Sequence, residues 1–215
     1  MISSPPDKQT VCIVDLGVQN ILSVENAFRT IGADVRIVTT PSEIDRAQFL
    51  VLPGVGAFSA AAKKLRDAGL DIAIRKHALD NKKPLLGLCL GMQLLADQSE
   101  EFGYNPGLGL VPGGVVKLTE QLPQFRVPNI GWREVRSTGA SQLFPTKQSR
   151  ADFYHVHSFH FECTNNQDVA GTSKFGERDI TSIVHRENIF GAQFHPEKSQ
   201  DAGLNLLHAV LHTLK

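Results

Sequence analysis

Apolar residues arrive in two rhythms along the chain, and the switch between them outlines the fold. Val11, Cys12, Ile13 and Val14 form a short, continuously apolar run ending in Asp15 and Gly17. Such a run is the mark of a parallel strand buried on both faces. From Asn20 the apolar positions Ile21, Val24, Ala27, Phe28 and Ile31 follow a helical period, which Gly32 closes. Val35, Ile37 and Val38 predict a second strand, and Phe49 to Leu52 a third that runs straight into Pro53-Gly54-Val55-Gly56. Ala57 to Leu79 is helical in two pieces divided near Gly69, and Lys83 to Leu95 reads as another strand passing into a helix. This alternation predicts an α/β fold, a doubly wound and mostly parallel sheet with helices on both faces.

After Glu101 the helical period disappears and Gly, Pro and short β-branched pieces dominate up to Asn129. Phe153 to Phe161 alternates as one strand, and Val169 to Thr172, Ile180 to His185 and Ile189 to Phe194 predict further strands. These form a smaller antiparallel β portion, with a return to the main sheet at the end. Leu204, Leu207, Leu211 and Leu214 predict a closing helix. The expected organisation is a loose leader over residues 1–9 and a single domain over residues 10–215.

The chain of 215 residues carries 22 basic and 22 acidic side chains, so its net charge is zero, which points away from nucleic acid and anionic membrane as partners. Its opening stretch lacks the apolar core of a signal peptide, and no apolar run is long enough to span a membrane. Cys12, Cys89 and Cys163 are too few and scattered for a disulfide framework or a zinc site. Reduced thiols in a cytoplasmic protein are the expectation.

Cys89 stands between Gly87 and Gly91 at the junction of strand and helix, as G-x-C-x-G. This is the layout of a nucleophile elbow: the turn is strained, and the neighbours lack side chains so that the two arms can pass. A position at a helix start also favours thiolate. The competing reading is a buried structural cysteine. In Gln193-Phe194-His195-Pro196-Glu197-Lys198-Ser199 an apolar strand ends in His-Pro-Glu, and Ser199 is placed to cap the next helix. Cys89 and His195 would then both lie at carboxyl ends of strands, where ligands bind in open α/β sheets. Glu197 is close enough in sequence to orient the imidazole, which completes a nucleophile, base and orienter set. A solvated His-Pro-Glu turn is the competing reading.

The glycine-rich turn after the third strand exposes backbone N–H groups, and those of Val55 and Leu90 are candidates to face a developing oxyanion. A phosphate cradle is the other reading, though the Lys and Ser/Thr of a P-loop are missing. Histidines 155, 157 and 160 invite a metal reading. On one strand His155 and His157 share a face and His160 has the other parity, so no metal site is expected. Trp132, the only tryptophan, has a core reading and an interface reading.

Taken together, PGVGAF, GLCLGMQLL and FGAQFHPEKS resemble the class I, or triad, glutamine amidotransferases. Over nearly the whole chain, including VPNIGW and FYHVHSF, the sequence resembles the glutaminase subunits of imidazole glycerol phosphate synthase. The resemblance implies hydrolysis of L-glutamine by Cys89, His195 and Glu197. It implies an oxyanion and substrate site of Gly54, Val55, Gly56, Leu90, Gln93, Ser158 and Phe159, and no cofactor. It also implies a heterodimer with a (β/α)8 synthase subunit that takes up the ammonia, with Asn20, Trp132, Tyr154 and Lys198 at the interface. The sequence departs from the family pattern PHMGWN at Asn129 and Arg133, has His155 for a common aromatic and has Phe159 for a common tyrosine. These departures put the partner in question and leave the hydrolytic residues intact. A paralogue supplying a surface-sugar amide or amidine synthase, a stand-alone γ-glutamyl hydrolase and a catalytically silent module are the alternatives, the last opposed by the intact triad.

Overall fold

The computed structural model describes residues 8–17, 21–119, 126–139 and 150–214. The first half alternates strand and helix: β1 (Thr10–Val14), α1 (Ile21–Thr30), β2 (Asp34–Val38), α2 (Pro41–Arg46), β3 (Phe49–Gly54), α3 (Phe58–Asp67) and α4 (Leu70–Arg75), then β4 (Leu85–Cys89) and α5 (Leu90–Leu94). The second half is mostly strand: β5 (Gln98–Ser99), β6 (Asn105–Pro106), β7 (Gly113–Lys117), β8 (Asn129–Ser137), β9 (Arg150–His157), β10 (Phe159–Cys163), β11 (Val169–Phe175), β12 (Arg178–Arg186) and β13 (Ile189–Ala192), closed by α6 (Gln200–Thr213).

The strands form one sheet in the order β2-β1-β3-β4-β13-β12-β10-β7-β5-β6, with β11, β8 and β9 branching from β12. From β2 to β13 all neighbours are parallel; β12 then pairs antiparallel with β13, and the branch is antiparallel throughout. The predicted α/β architecture, with its antiparallel portion and its return to the main sheet, is therefore present. The apolar strands bury both faces because helices cover both. Val11, Ile13, Phe49, Val51, Leu86 and Leu88 point to the side of α1 and α6, and Cys12, Val14, Leu50, Leu52 and Leu85 to the side of α2–α5.

Three local features differ from the sequence reading. Helix α2 fills the interval between β2 and β3; its start is a capping box in which the Glu43 carboxylate accepts the Thr40 N–H at 3.0 Å. The strand expected over Phe153–Phe161 is interrupted at Ser158, so β9 pairs with β8 and β10 with β7 and β12. Ser199 occupies the N-cap position of α6, but its hydroxyl makes no cap. It donates instead to the His195 carbonyl at 2.6 Å and accepts the Tyr154 N–H at 3.0 Å, tying β9 to the turn after β13.

Candidate active site

Strands β4 and β13 are parallel neighbours with Leu88 beside Ala192, so the residues just beyond them emerge at the same edge of the sheet. Cys89 comes next on one strand and Gln193-Phe194-His195 on the other. Cys89 adopts φ 52° and ψ −109°, a left-handed conformation that costs a residue with a Cβ about 1–3 kcal/mol. The glycines around it are required by contact. A Cβ on Gly87 would lie 2.8 Å from the Gly91 carbonyl oxygen, and one on Gly91 would lie 1.7 Å from the Leu52 carbonyl oxygen. The elbow thus closes only because α5 rests directly on the backbone of β3.

Cys89 is 7% exposed and His195 2% exposed. His195 Nδ1 bonds the Glu197 carboxylate at 2.8 Å, and Nε2, with no ordinary hydrogen bond, faces the Cys89 sulfur. The short 3-10 turn Pro196–Lys198 brings Glu197 back under the ring. Behind it, a Cβ on Gly203 would lie 1.8 Å from the Pro196 carbonyl oxygen, so α6 is also in backbone contact with the His-Pro-Glu turn. Phe194 stacks on Phe153 with ring centres 4.0 Å apart and anchors the approach to His195. Burial works against charging His195, but its interactions with Cys89 and Glu197 outweigh burial and hold the imidazole up at about 10. The two other thiols are poor nucleophiles, since burial raises Cys12 and pushes Cys163 up to about 12.

A cavity of about 350 Å³ opens over Cys89 and His195, and Val55, Gly56, Leu90, Gln93, Ser158 and Phe159 all line it. Gly54 does not line it. That residue pairs with Cys89 in the sheet, and a Cβ there would meet Leu90 at 3.0 Å, so its place is behind the elbow. Gln93 donates to the Phe159 carbonyl at 3.0 Å and to Gln193 Oε1 at 3.1 Å, which leaves its own carbonyl oxygen for the cavity. At the interruption the Ser158 carbonyl accepts the Leu118 N–H at 2.9 Å and the Phe159 carbonyl accepts from Gln93, which places both residues at the cavity wall.

Four lining residues escape the sequence reading: Glu101, Pro128, Val156 and His157. Glu101 accepts the Phe58 N–H at 2.5 Å, satisfying an orphan donor at the start of α3, just beyond the glycine turn. Gln193 also escapes it; this residue is fully buried, and its amide nitrogen reaches the Cys89 sulfur at 3.9 Å. No signal in the sequence distinguishes it from an ordinary strand residue.

Beside the cavity, Trp132 and Tyr154 pair across β8 and β9 in a T-shaped contact with ring centres 6.2 Å apart. Trp132 is 45% exposed, which overturns its core reading. Ile130 and Val156, paired on the same two strands, and Lys198 are exposed as well, so an apolar face with a basic neighbour borders the cavity. Asn20 lies outside the described residues. His155 and His157 share a face and bond each other at 3.2 Å. Among the described residues no cluster has the composition of a metal site, and no helix is long and apolar enough to cross a membrane.

A family model described as glutamine amidotransferase class-I matches residues 12–211. The imidazole glycerol phosphate synthase subunit HisH 2 of Nitrobacter winogradskyi is 41% identical over 206 residues, covering 94% of this chain and 97% of that protein. The HisH subunit of Moorella thermoacetica is 43% identical over 197 residues, covering 92% and 91%. Among solved structures, PurLQS from Thermotoga maritima superposes with a TM-score of 0.73 at 19% identity, covering 97% of this chain and 100% of that one. A glutamine amidotransferase from the same organism gives a TM-score of 0.66 at 17% identity, covering 96% and 97%. At these identities the structural likenesses speak to the fold.

Proposed function

The chain belongs to the class I glutamine amidotransferases, and from that premise we propose that it is the glutaminase subunit of an imidazole glycerol phosphate synthase in the cytoplasm. Similarity to HisH subunits over nine-tenths of the chain supports the assignment. The observation that carries the chemistry is the meeting of Cys89, His195 and Glu197 at the ends of adjacent strands, above a cavity that Gln93, Ser158 and Phe159 line.

In this reading the Cys89 sulfur attacks the carboxamide carbon of glutamine. The oxygen charge that develops is met by the N–H groups of Val55 and Leu90. His195 delivers a proton to the departing ammonia, leaving a γ-glutamyl thioester on Cys89. It then takes a proton from the water that releases glutamate, while Glu197 holds the ring in one orientation throughout. The ammonia passes to a (β/α)8 synthase subunit docked over Trp132, Tyr154 and Lys198. There it enters a nucleotide-derived precursor to give imidazole glycerol phosphate and AICAR.

Glu197→Gln tests the electrostatics of this arrangement. Without the carboxylate, burial of His195 is opposed by Cys89 alone, so the imidazole pKa falls below its native value of about 10. The basic limb of the pH–rate profile, where the imidazolium is lost, moves to lower pH, and kcat drops by about 10²–10³-fold. An unmoved basic limb contradicts the role given to Glu197.

The acceptor is tested by measuring glutamine hydrolysis by the purified chain, alone and with a histidine-pathway synthase plus its nucleotide ligand. Slow hydrolysis alone and strong stimulation by that partner are expected. A second reading, a paralogue that feeds a sugar amide or amidine synthase, is favoured by one observation. Asn129, Arg133 and His155, where the sequence departs from the family pattern, lie in adjoining hydrogen bonds on the inner side of β8 and β9, directly behind the docking residues Trp132 and Tyr154. Triad-dependent hydrolysis stimulated only by a sugar synthase would select it; fast turnover of the isolated chain would select a stand-alone hydrolase.

A further inference from the structure

From half-buried Arg133 on β8, on the face opposite Ile130 and Trp132, an unbroken series of polar contacts runs to the buried sulfur of Cys89. Arg133 Nε donates to Asn129 Oδ1 at 2.9 Å. The Asn129 amide faces His157 Nε2 at 3.0 Å, and His157 Nδ1 faces the Phe159 carbonyl at 2.9 Å. That carbonyl also accepts from Gln93, whose second N–H goes to Gln193 Oε1, and the Gln193 amide nitrogen lies 3.9 Å from Cys89 Sγ.

The direction of every link is fixed. A carbonyl only accepts, so His157 carries its proton on Nδ1, and Nε2 is left as the acceptor that the Asn129 N–H faces at 3.0 Å and His155 Nδ1 at 3.2 Å. Burial holds the His157 pKa down at about 4, so the ring has this one proton and no second N–H with which to reverse the link. Asn129 must then present its oxygen to Arg133. At the other end, the Gln93 donor pins the Gln193 oxygen and leaves the Gln193 N–H facing the sulfur. Flipped by 180°, the same amide would set its oxygen against the sulfur and repel a thiolate. Gln193 is therefore an element with two orientations of opposite effect on the nucleophile. Asn129 and His157 act on it only by holding in place the Phe159 carbonyl, which accepts from both His157 and Gln93 and so orients the Gln93 amide that pins Gln193.

We propose that this hydrogen-bond chain sets the reactivity of Cys89, which makes Asn129 and His157 positioning residues of the glutaminase site although neither contacts the sulfur. The proposal rests on the glutaminase reading for its purpose. Its physical content is open to a measurement that needs no glutamine: alkylation of Cys89 by iodoacetamide, followed by peptide mass spectrometry to separate it from Cys12 and Cys163.

Gln193→Met should slow Cys89 alkylation about tenfold, the scale of one hydrogen bond to a charged group. It should lower kcat for stimulated glutamine hydrolysis similarly and leave KM within about twofold, because Gln193 lies outside the cavity lining. Asn129→Leu should slow alkylation about threefold. The double variant should be no slower than Gln193→Met alone, because both changes act through one amide. If Asn129→Leu does not fold, Arg133→Met, at the half-buried end of the chain, replaces it in the same cycle. A double variant whose loss equals the product of the two single losses overturns the proposal. So does native alkylation in the variant carrying the change at 129 or 133. Coupled alkylation in a chain that hydrolyses no glutamine with any synthase would leave the coupling standing and remove the glutaminase reading instead.

Discussion

Cys89→Ala is expected to lower stimulated glutamine hydrolysis by at least about 10³-fold, the usual consequence of deleting a covalent nucleophile. No other thiol can stand in. Cys12 and Cys163 have pKa values raised by burial, and neither lines the cavity. The substitution should leave the fold intact. Alanine keeps the Cβ, so the strain of φ 52° at this position persists unchanged, and the loss of one sulfur from an open cavity floor costs about 1 kcal/mol or less. Melting temperature and co-elution with the synthase partner should therefore match the native chain. Residual hydrolysis near the native rate would remove Cys89 from the chemistry, and loss of assembly would mean that the elbow has been assigned wrongly.

Gly91→Ala acts on stability instead. Its Cβ would lie 1.7 Å from the Leu52 carbonyl oxygen, a backbone atom of a strand buried on both faces, so no side-chain movement can relieve the overlap. Either β3 or α5 must shift, and both frame the cavity. A cost of about 4 kcal/mol or more is expected, a large part of the stability of a domain this size. Gly56→Ala is the control. Unlike Gly91, which sits in α5 without a positive φ, it has φ 102°, but nothing lies within 4 Å of the added Cβ, so only conformational strain of about 1–2 kcal/mol applies. Denaturant midpoints should rank native, Gly56→Ala and Gly91→Ala in falling order. A Gly91→Ala chain as stable as Gly56→Ala would show that α5 does not rest on β3 as described.

These contrasts show which parts of the molecule the sequence can convey. Strands β1, β3 and β4 are legible because burial on both faces leaves a continuous apolar run, which few other structures produce. The elbow is legible because its geometry forbids side chains at Gly87 and Gly91. Helix α2 is hard to see because it has only six residues and one buried position, Ile44, so its signal lies in the Thr40-to-Glu43 cap and not in any period. The break at Ser158 is invisible because the alternation of Phe153 to Phe161 continues across it, and only the change of partner strand reveals the turn. Gln193, Glu101 and Gly203 act through contacts that depend on register and on the packing of distant elements, which no local pattern encodes. The same holds for Asn129. Shared parity announces that His155 and His157 face together, but only the pairing of β8 with β9 sets Asn129 opposite His157.

The central claim is that the Cys89 sulfur forms a bond to the glutamine carboxamide carbon with the help of His195. Acid-quenching the chain during turnover with its synthase partner and glutamine, then weighing the peptide that carries Cys89, tests it most directly. A fraction of that peptide heavier by glutamine less ammonia is expected, absent in Cys89→Ala. An unmodified Cys89 peptide under conditions of rapid glutamate release, or the same adduct on Cys12 or Cys163, would contradict it.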